Sequence, residues 1–439
     1  FRRIEIKDKN FRVNNQVILL NGVNHHDYNP REGRRVTREQ MESDIRLMKQ
    51  YNINAVRCSH YPANEYFYDL CDEYGLYVIN EADLECHGFE WVENYTWITD
   101  DETWKAAYVD RSVRMVKRDR NHPSILMWSM GNESAFGCNF RSAAEAIREL
   151  DDTRLVHYEG DFEAEVTDVY STMYTRLKGL KEIAEYQIKG DKPHVMCEYG
   201  HAMGNGPGGL KAYQDMYRKY KRLQGGFLWE WYDHGIYTEE KDKKYYKYGG
   251  NYGDFPTNGN FCIDGILMPD RTPSPGMEEY KQIIAPVEIT AVEGSMNKLQ
   301  IRNYYDFLNL DKEPGGDIRR FLDFLQRHAD TERVTDIEDT LGARVGNLID
   351  DLFAVGCLAV KTVLTGFKTA ERLLEGFLER AADRHHFAHS LHLGGQTVIR
   401  LRELLKGETR HLRDDVVNRR LEGNRGLAAG DVVPEVVKR

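Results

Sequence analysis

The sequence lacks several patterns that would assign it to other classes of protein. Its 439 residues include seven cysteines, with no CxxC pair and no close Cys/His spacing, which argues against a zinc site or a disulfide scaffold and favours free thiols. No apolar run is long enough to span a bilayer. The formal net charge of −11 argues against nucleic acid or an anionic membrane as the main partner. Free thiols favour a cytoplasmic location, although the chain starts at Phe1 and not at methionine, so a missing signal peptide carries no information on compartment.

Tyrosine and tryptophan are absent from the last part of the chain. All 26 Tyr and all six Trp precede residue 306. After about residue 314 arginine replaces lysine, and apolar residues recur at helical spacings, which predicts helices over 317–327, 334–382 and 395–421. We therefore expect residues 314–439 to be an α-helical segment of different origin. It carries no functional motif, and one hypothesis is a helical interaction module that supports a homo-oligomer.

Strand-like and helical patterns alternate over residues 1–285. The predicted strands are Val17–His26, Ile53–His60, Gly75–Leu84, Ser124–Glu133, Arg154–Gly160, Asp168–Tyr174, His194–Gly200 and Gly225–Trp231. The predicted helices between them are Thr37–Tyr51, with Thr37 as the N-cap, Asn64–Tyr74, Glu102–Arg118, Asn139–Leu150 and Leu210–Leu223. Eight parallel β/α units predict an α/β fold, the (β/α)8 TIM barrel, whose first strand we place at the start of the chain.

Residues 286–313 have a different pattern of apolar and polar residues from the predicted barrel. The stretch 286–306 shows short alternation of apolar and polar residues, with Gly294 near its middle. This pattern predicts a β-hairpin, and we interpret it as the start of a truncated β-sandwich domain.

Two glutamates follow apolar runs at predicted strand ends. Glu133 comes after the run Ile125–Met130, with Gly131 and Asn132 between, and Glu198 follows the run from His194. Burying an ionised carboxylate is costly unless something uses it, and catalytic groups of TIM barrels lie at the carboxyl ends of the strands. Two carboxyl groups facing one sugar are what glycoside hydrolysis requires.

Eight stretches, in order along residues 1–310, resemble glycoside hydrolase family 2, and within it the branch of large bacterial β-galactosidases. They are GVNHHDYNP (22–30), NAVRCSHYP (54–62), NEADLECHG (80–88), RDRNHPSILMWSMGNES (118–134), STMY (171–174), CEYGHAMGNGPGG (197–209), LQGGFLWEW (223–231) and GNFCIDGI (259–266). The resemblance implies that Glu133 is the acid/base and Glu198 the nucleophile of a retaining, double-displacement hydrolase of terminal β-D-galactosides.

The resemblance also implies the residues that bind the substrate. Asn132 would hydrogen-bond the sugar 2-hydroxyl, Arg57 would support the nucleophile, Tyr174 would lie beside it, and Trp229 would form an aromatic floor for the galactose. Three histidines would contact the substrate or the transition state: His26, His60 and His201.

Two cation sites are implied in the same way. Glu85, His87 and Glu133 match a magnesium site, although an imidazole is an unusual ligand for Mg²⁺ and Mn²⁺ should also fit. The Phe261 carbonyl and Asp264 match a sodium site, in which the family usually has Asn in place of Asp264.

Structural alternatives remain for all these residues. The glutamates could pair with arginine, the histidines could be hydrogen-bonded core residues, Arg57 could belong to a salt bridge inside the barrel, and Trp229 could be core. Family members carry β domains before and after the barrel that this sequence lacks. An alternative function is therefore a catalytically impaired barrel fragment that binds sugar or serves as an assembly piece.

Overall fold

The computed structural model describes residues 2–186, 190–291, 298–308 and 435–438. The chain divides into two compact units, Phe1–Ile284 and Ala285–Arg439. No helix within the described ranges is long and apolar enough to cross a membrane.

The first unit opens with a small antiparallel sheet, β1 (Ile4–Lys7), β2 (Asn10–Val13) and β3 (Gln16–Val17). The prediction that the chain starts at the first strand of the barrel is therefore wrong. Phe11 of β2 is fully buried among side chains from the barrel interior, and the Gln224 amide donates to the Phe11 carbonyl over 2.9 Å. Burial of Phe11 and Val13 against the barrel interior holds this sheet at one end of the barrel.

Eight parallel strands form the barrel, and their order in the sheet is β8-β7-β6-β5-β4-β11-β10-β9. They are β4 (Leu20–His25), β5 (Ala55–Cys58), β6 (Tyr77–Glu81), β7 (Ile125–Ser129), β8 (Leu155–His157), β9 (Tyr170–Met173), β10 (His194–Tyr199) and β11 (Leu223–Leu228). The Asp168 N–H donates to the Val156 carbonyl (2.9 Å) and brings the two outer strands together. The predicted TIM barrel and all eight of its strands are confirmed.

The observed strands are mostly shorter than predicted. Backbone hydrogen bonds continue past several of these strand ends: the Met130 N–H donates to the His157 carbonyl (3.0 Å), and the Trp229 N–H donates to the Tyr199 carbonyl (2.9 Å). β7, β10 and β11 are buried along their whole length, as expected for parallel strands that are covered on both faces.

The helices are α1 (Arg38–Gln50), α2 (Glu65–Tyr74), α3 (Lys105–Asp119), α4 (Cys138–Leu150), α5 (Leu177–Glu185), α6 (Leu210–Lys219) and α7 (Pro275–Ile283). All five predicted helices are present, and Thr37 caps α1 by accepting from the Gln40 N–H (3.2 Å). α3 begins later than predicted because Glu102–Trp104 form a 3₁₀ turn. α5 and α7 were not predicted, although Ser274 before Pro275 is an N-terminal helix signal.

A hairpin of β12 (Ile236–Glu240) and β13 (Lys243–Lys247) was also missed. Lys241 and Asp242 at its turn both have positive φ, at 51° and 64°. A two-residue turn of this kind matches the twist of the strands that it connects.

The second unit contains the antiparallel pair β14 (Val287–Ala291) and β15 (Lys298–Asn303), which confirms the predicted hairpin. β16 (Glu435–Lys438) pairs with β15 in parallel, so these four residues form a strand inside the segment predicted to be helical. Gly294 and the predicted helices 317–327, 334–382 and 395–421 lie outside the described residues. Cysteines 58, 71, 86, 138, 197 and 262 are free thiols, as expected.

Buried His194 should make the stability of the barrel depend on pH. Burial and the nearby charge of Arg222 lower its pKa to about 3, whereas an unfolded histidine has a pKa of about 6.5. Only the unfolded chain therefore takes up this proton between these values, so stability is lost as pH falls below about 6.5. Lowering the pH from 6.5 to 5 should therefore reduce the free energy of unfolding of His194→Gln by about 2 kcal/mol less than it reduces that of the wild type.

Chemical denaturation at several pH values measures this difference. The control is Thr172→Val, which removes the hydroxyl 2.9 Å from His194 Nε2 without removing a titrating group, and it should keep the wild-type pH slope. An unchanged slope in His194→Gln would contradict the assignment.

Candidate active site

Glu198 lies within β10 at the carboxyl face and is only 4% exposed. Arg57 Nη1 donates to Glu198 Oε1 over 2.8 Å. The Tyr174 hydroxyl donates to Oε2, also over 2.8 Å. Both carboxylate oxygens therefore have a donor, and the orientation of the group is fixed.

Glu133 has a different environment. It stands four residues after β7, and its side chain is about one-third exposed, with Oε2 3.1 Å from His87 Nδ1. Burial, followed by the charge of Glu198, raises the pKa of Glu133. The two carboxyl groups are therefore close enough to interact electrostatically. A glutamate with a raised pKa beside a firmly held carboxylate is suited to acid and base steps.

Arg57 is the centre of a fully buried ion-pair network. It donates to both oxygens of Glu81, at 2.8 and 3.0 Å, and to Asn132 Oδ1 at 2.9 Å. Burial alone would raise the pKa of Glu81, but Arg57 and His60 outweigh it and lower the pKa to about 2. Both roles considered for Arg57 are therefore present in the contacts: it takes part in an ion pair inside the barrel, and it holds Glu198.

Aromatic rings cluster beside this network. His60 stacks on Trp229, with ring centroids 5.2 Å apart and an angle of 11° between the planes. Its Nδ1 is 2.7 Å from Glu81 Oε1. His26 packs edge-on against His60 and Trp229. Trp229 and the two histidines thus form one surface next to the carboxylates.

His201 and the residues of the predicted sodium site adjoin the same surface. Trp229 Nε1 donates to Asp264 Oδ2 over 2.8 Å, and His201 Nε2 lies 3.7 Å from that oxygen. The rings of Tyr174 and Phe261 contact His201. Asp264 is buried, and its Oδ1 has no hydrogen-bond partner among the described residues, which leaves one oxygen for a cation. The sodium site stays a prediction.

Glu85, His87 and Glu133 each offer a ligand atom, and these atoms lie within 4.8 Å of one another. A backbone bridge between Glu85 and Asn132 brings Glu85 next to the segment that carries Glu133. His87 Nε2 is 2.8 Å from Glu90 Oε2, which leaves Nδ1 facing Glu133. Two carboxylates and an imidazole oriented by a further carboxylate fit a divalent cation.

The sequence analysis assigned no role to three buried glutamates at the carboxyl face. Glu81 lies within a quoted motif and ends a buried strand, which was a usable signal. Burial raises the pKa of Glu159 to about 8, and its Oε1 accepts from the Glu133 N–H over 2.8 Å. Burial and the charge of Asp264 raise the pKa of Glu230 well above the ordinary value. The environment of such groups can be seen only in the folded chain.

Two carboxylates of unlike environment at the carboxyl end of a (β/α)8 barrel form an arrangement typical of barrel glycosidases. The chain belongs to glycoside hydrolase family 2: the model of the glycosyl hydrolases family 2 TIM barrel domain matches residues 4–289.

Similar proteins include the β-galactosidases of Kluyveromyces lactis and Priestia megaterium. The first is 43% identical over 341 residues, which are 71% of this chain and 33% of the relative. The second is 44% identical over 325 residues, with 71% and 31% coverage. The chain thus spans about a third of the length of these curated relatives. Among solved structures, Faecalibacterium prausnitzii β-glucuronidase shares the fold, with a TM-score of 0.52, 23% identity and coverage of 65% of this chain and 51% of that one.

Proposed function

We propose that this chain carries the catalytic barrel of a retaining β-galactosidase. The observation that carries the proposal is the difference between the two carboxyl groups: Glu198 is held by Arg57 and Tyr174, whereas burial and Glu198 raise the pKa of Glu133. Relatives more than 40% identical to this chain over 71% of its length are named β-galactosidase, which supports the choice of sugar.

In the first step Glu198 attacks the anomeric carbon while Glu133 donates its proton to the leaving oxygen, which gives a glycosyl-enzyme. In the second step Glu133 accepts a proton from water, which attacks the same carbon and releases galactose. Arg57 and Tyr174 keep a Glu198 oxygen aimed at one position through both steps.

The same geometry supports the proposed sugar contacts. The stacked pair of His60 and Trp229 offers an apolar surface for one face of the ring. His26 and His201 offer ring nitrogens beside it. Asn132, whose amide oxygen is held by Arg57, has its NH₂ group left for the sugar and for Glu133.

Hydrolysis of 4-nitrophenyl β-galactoside, followed by proton NMR, tests the proposal. We expect β-galactose as the first product, because two inversions restore the configuration, and much slower hydrolysis of the β-glucuronide and β-mannoside. The α-anomer as first product, or a preference for another glycoside, would contradict it. A folded barrel with no turnover would favour the alternative of an impaired fragment. This alternative is motivated by the fact that the chain spans only about a third of its relatives' length.

A divalent cation would be held by Glu85, His87 and Glu133, and when bound it would supply positive charge beside the acid/base. We expect Glu85→Gln to weaken Mn²⁺ binding by at least about tenfold, as measured by calorimetry or electron paramagnetic resonance. Exposed Glu93, on the same loop, gives the matched control Glu93→Gln, which removes one negative charge but no ligand. Equal affinities in both variants would count against this site.

A further inference from the structure

The backbone that carries Glu133 has an unusual conformation. Glu133 has a φ of 35°, and Ala135 has a φ of 55°. L-residues other than glycine are disfavoured there by about 1 kcal/mol or more each. The position of the acid/base is therefore maintained by the surrounding contacts and not by local preference.

Those contacts come from two sides. On the β6 side, the Asn132 N–H donates to the Leu84 carbonyl (2.9 Å). On the β8 side, the Ser134 N–H donates to the Tyr158 hydroxyl (3.0 Å), which itself donates to the Ala135 carbonyl (2.6 Å). The N–H of Glu133 itself donates to Glu159 Oε1 over 2.8 Å.

Glu159 stands two residues after β8 and is only 5% exposed. Its second oxygen, Oε2, is buried and has no hydrogen-bond partner among the described residues. Burying a carboxyl group costs free energy. The hydrogen bond from the Glu133 N–H is the contact through which Glu159 reaches the proposed catalytic residues. No step of the proposed mechanism gives Glu159 contact with sugar or water.

We propose that Glu159 is a positioning residue, which holds the acid/base Glu133 in its left-handed backbone conformation by accepting its N–H. The inference rests on the proposed function. If the acceptor is lost, the Glu133 backbone can relax and move its carboxyl group away from the leaving oxygen. A displacement of about 1 Å can lower the rate of a step by about 10²-fold.

Such a defect has a signature that a general loss of structure does not produce. Protonation by Glu133 matters for a poor leaving group and is unnecessary for one that departs as a stable anion. The value of kcat/KM reports the first, glycosylating step alone. Phenyl β-galactoside and 2,4-dinitrophenyl β-galactoside therefore separate positioning of the acid from attack by Glu198.

The variants are Glu159→Met, which keeps the length of the side chain without a strong acceptor, and Glu159→Gln, which keeps an oxygen acceptor. We expect Glu159→Met to lower kcat/KM for the phenyl substrate about 10²-fold and for the dinitrophenyl substrate by less than about fivefold. Glu159→Gln should stay within about fivefold of wild type on both substrates. The control is Glu165→Gln, which should match wild type. Glu165 lies in the same loop as Glu159, and its exposed carboxylate pairs with Arg141 of α4.

Equal losses on both substrates in Glu159→Met would overturn the proposal, and so would a Glu159→Gln variant as impaired on the phenyl substrate as Glu159→Met. If Glu159→Met does not fold, as judged by circular dichroism, Glu159→Ala provides the same comparison. Failure of the proposed function is distinguishable, because the wild-type chain would then hydrolyse neither galactoside.

Discussion

Replacing Glu198 by glutamine should lower kcat/KM for an aryl β-galactoside by at least about 10⁴-fold, the scale on which catalysis falls when a nucleophile is removed. The amide is close in shape to the carboxylate, so Arg57 and Tyr174 keep their places, but its oxygen is a far weaker nucleophile. The loss should appear on good and poor leaving groups alike, because the attack itself is removed.

Covalent trapping measures the same role directly. An activated 2-deoxy-2-fluoro-β-galactoside should add one sugar to the wild-type chain, detected by intact mass, and peptide mapping should place it on Glu198. The Glu198→Gln variant is the control and should carry no adduct. An adduct on another residue would overturn the assignment of the nucleophile. No adduct on a folded wild-type chain would favour the impaired fragment.

Replacing Arg57 by methionine should lower the free energy of unfolding by about 3–5 kcal/mol at pH 7, because it leaves a buried carboxylate without its partner. Both oxygens of Glu81 bond to this guanidinium, and neither group is exposed to solvent. The same change removes a donor from Glu198, so turnover should fall as well. Denaturation with urea measures the first effect, and initial rates measure the second.

The pH dependence identifies the cause of that instability. In wild type the lowered pKa of Glu81, about 2, contributes stability that is present above the unfolded pKa of about 4.5 and is lost as pH falls toward 2. Without Arg57, burial raises the pKa of Glu81, so folding takes up a proton and the deficit of Arg57→Met should shrink between pH 7 and pH 5.

The double variant Arg57→Met with Glu81→Gln should recover part of the lost stability, because it removes both buried charges. A deficit that does not change with pH, or a double variant less stable than the single one, would show that the unpaired charge of Glu81 is not responsible.

Some motif residues that the sequence analysis could not explain turn out to support the barrel. Asp119, in the stretch that leads to Glu133, is fully buried. It accepts from the Asn80 amide (2.7 Å), whose oxygen accepts from the Tyr68 hydroxyl (2.8 Å). These bonds link α2, β6 and α3 behind the carboxyl face. A motif indicates that its residues are important, but it does not distinguish residues that take part in catalysis from residues that stabilise the fold.

The barrel, its eight strands and the positions of Glu133 and Glu198 at its carboxyl face could be predicted, because they depend on periodicity and on short motifs that are local in the chain. The partners of these residues are visible only in the folded chain. Arg57 bonds to Glu81, Asn132 and Glu198, which lie 24, 75 and 141 residues further along the chain. The ion pair of Glu81, the contact of Glu159 with the Glu133 N–H, and the sheet at the start of the chain depend on burial and on contacts between distant segments. Such contacts leave no local pattern, because they arise only when closure of the barrel brings the strand ends together.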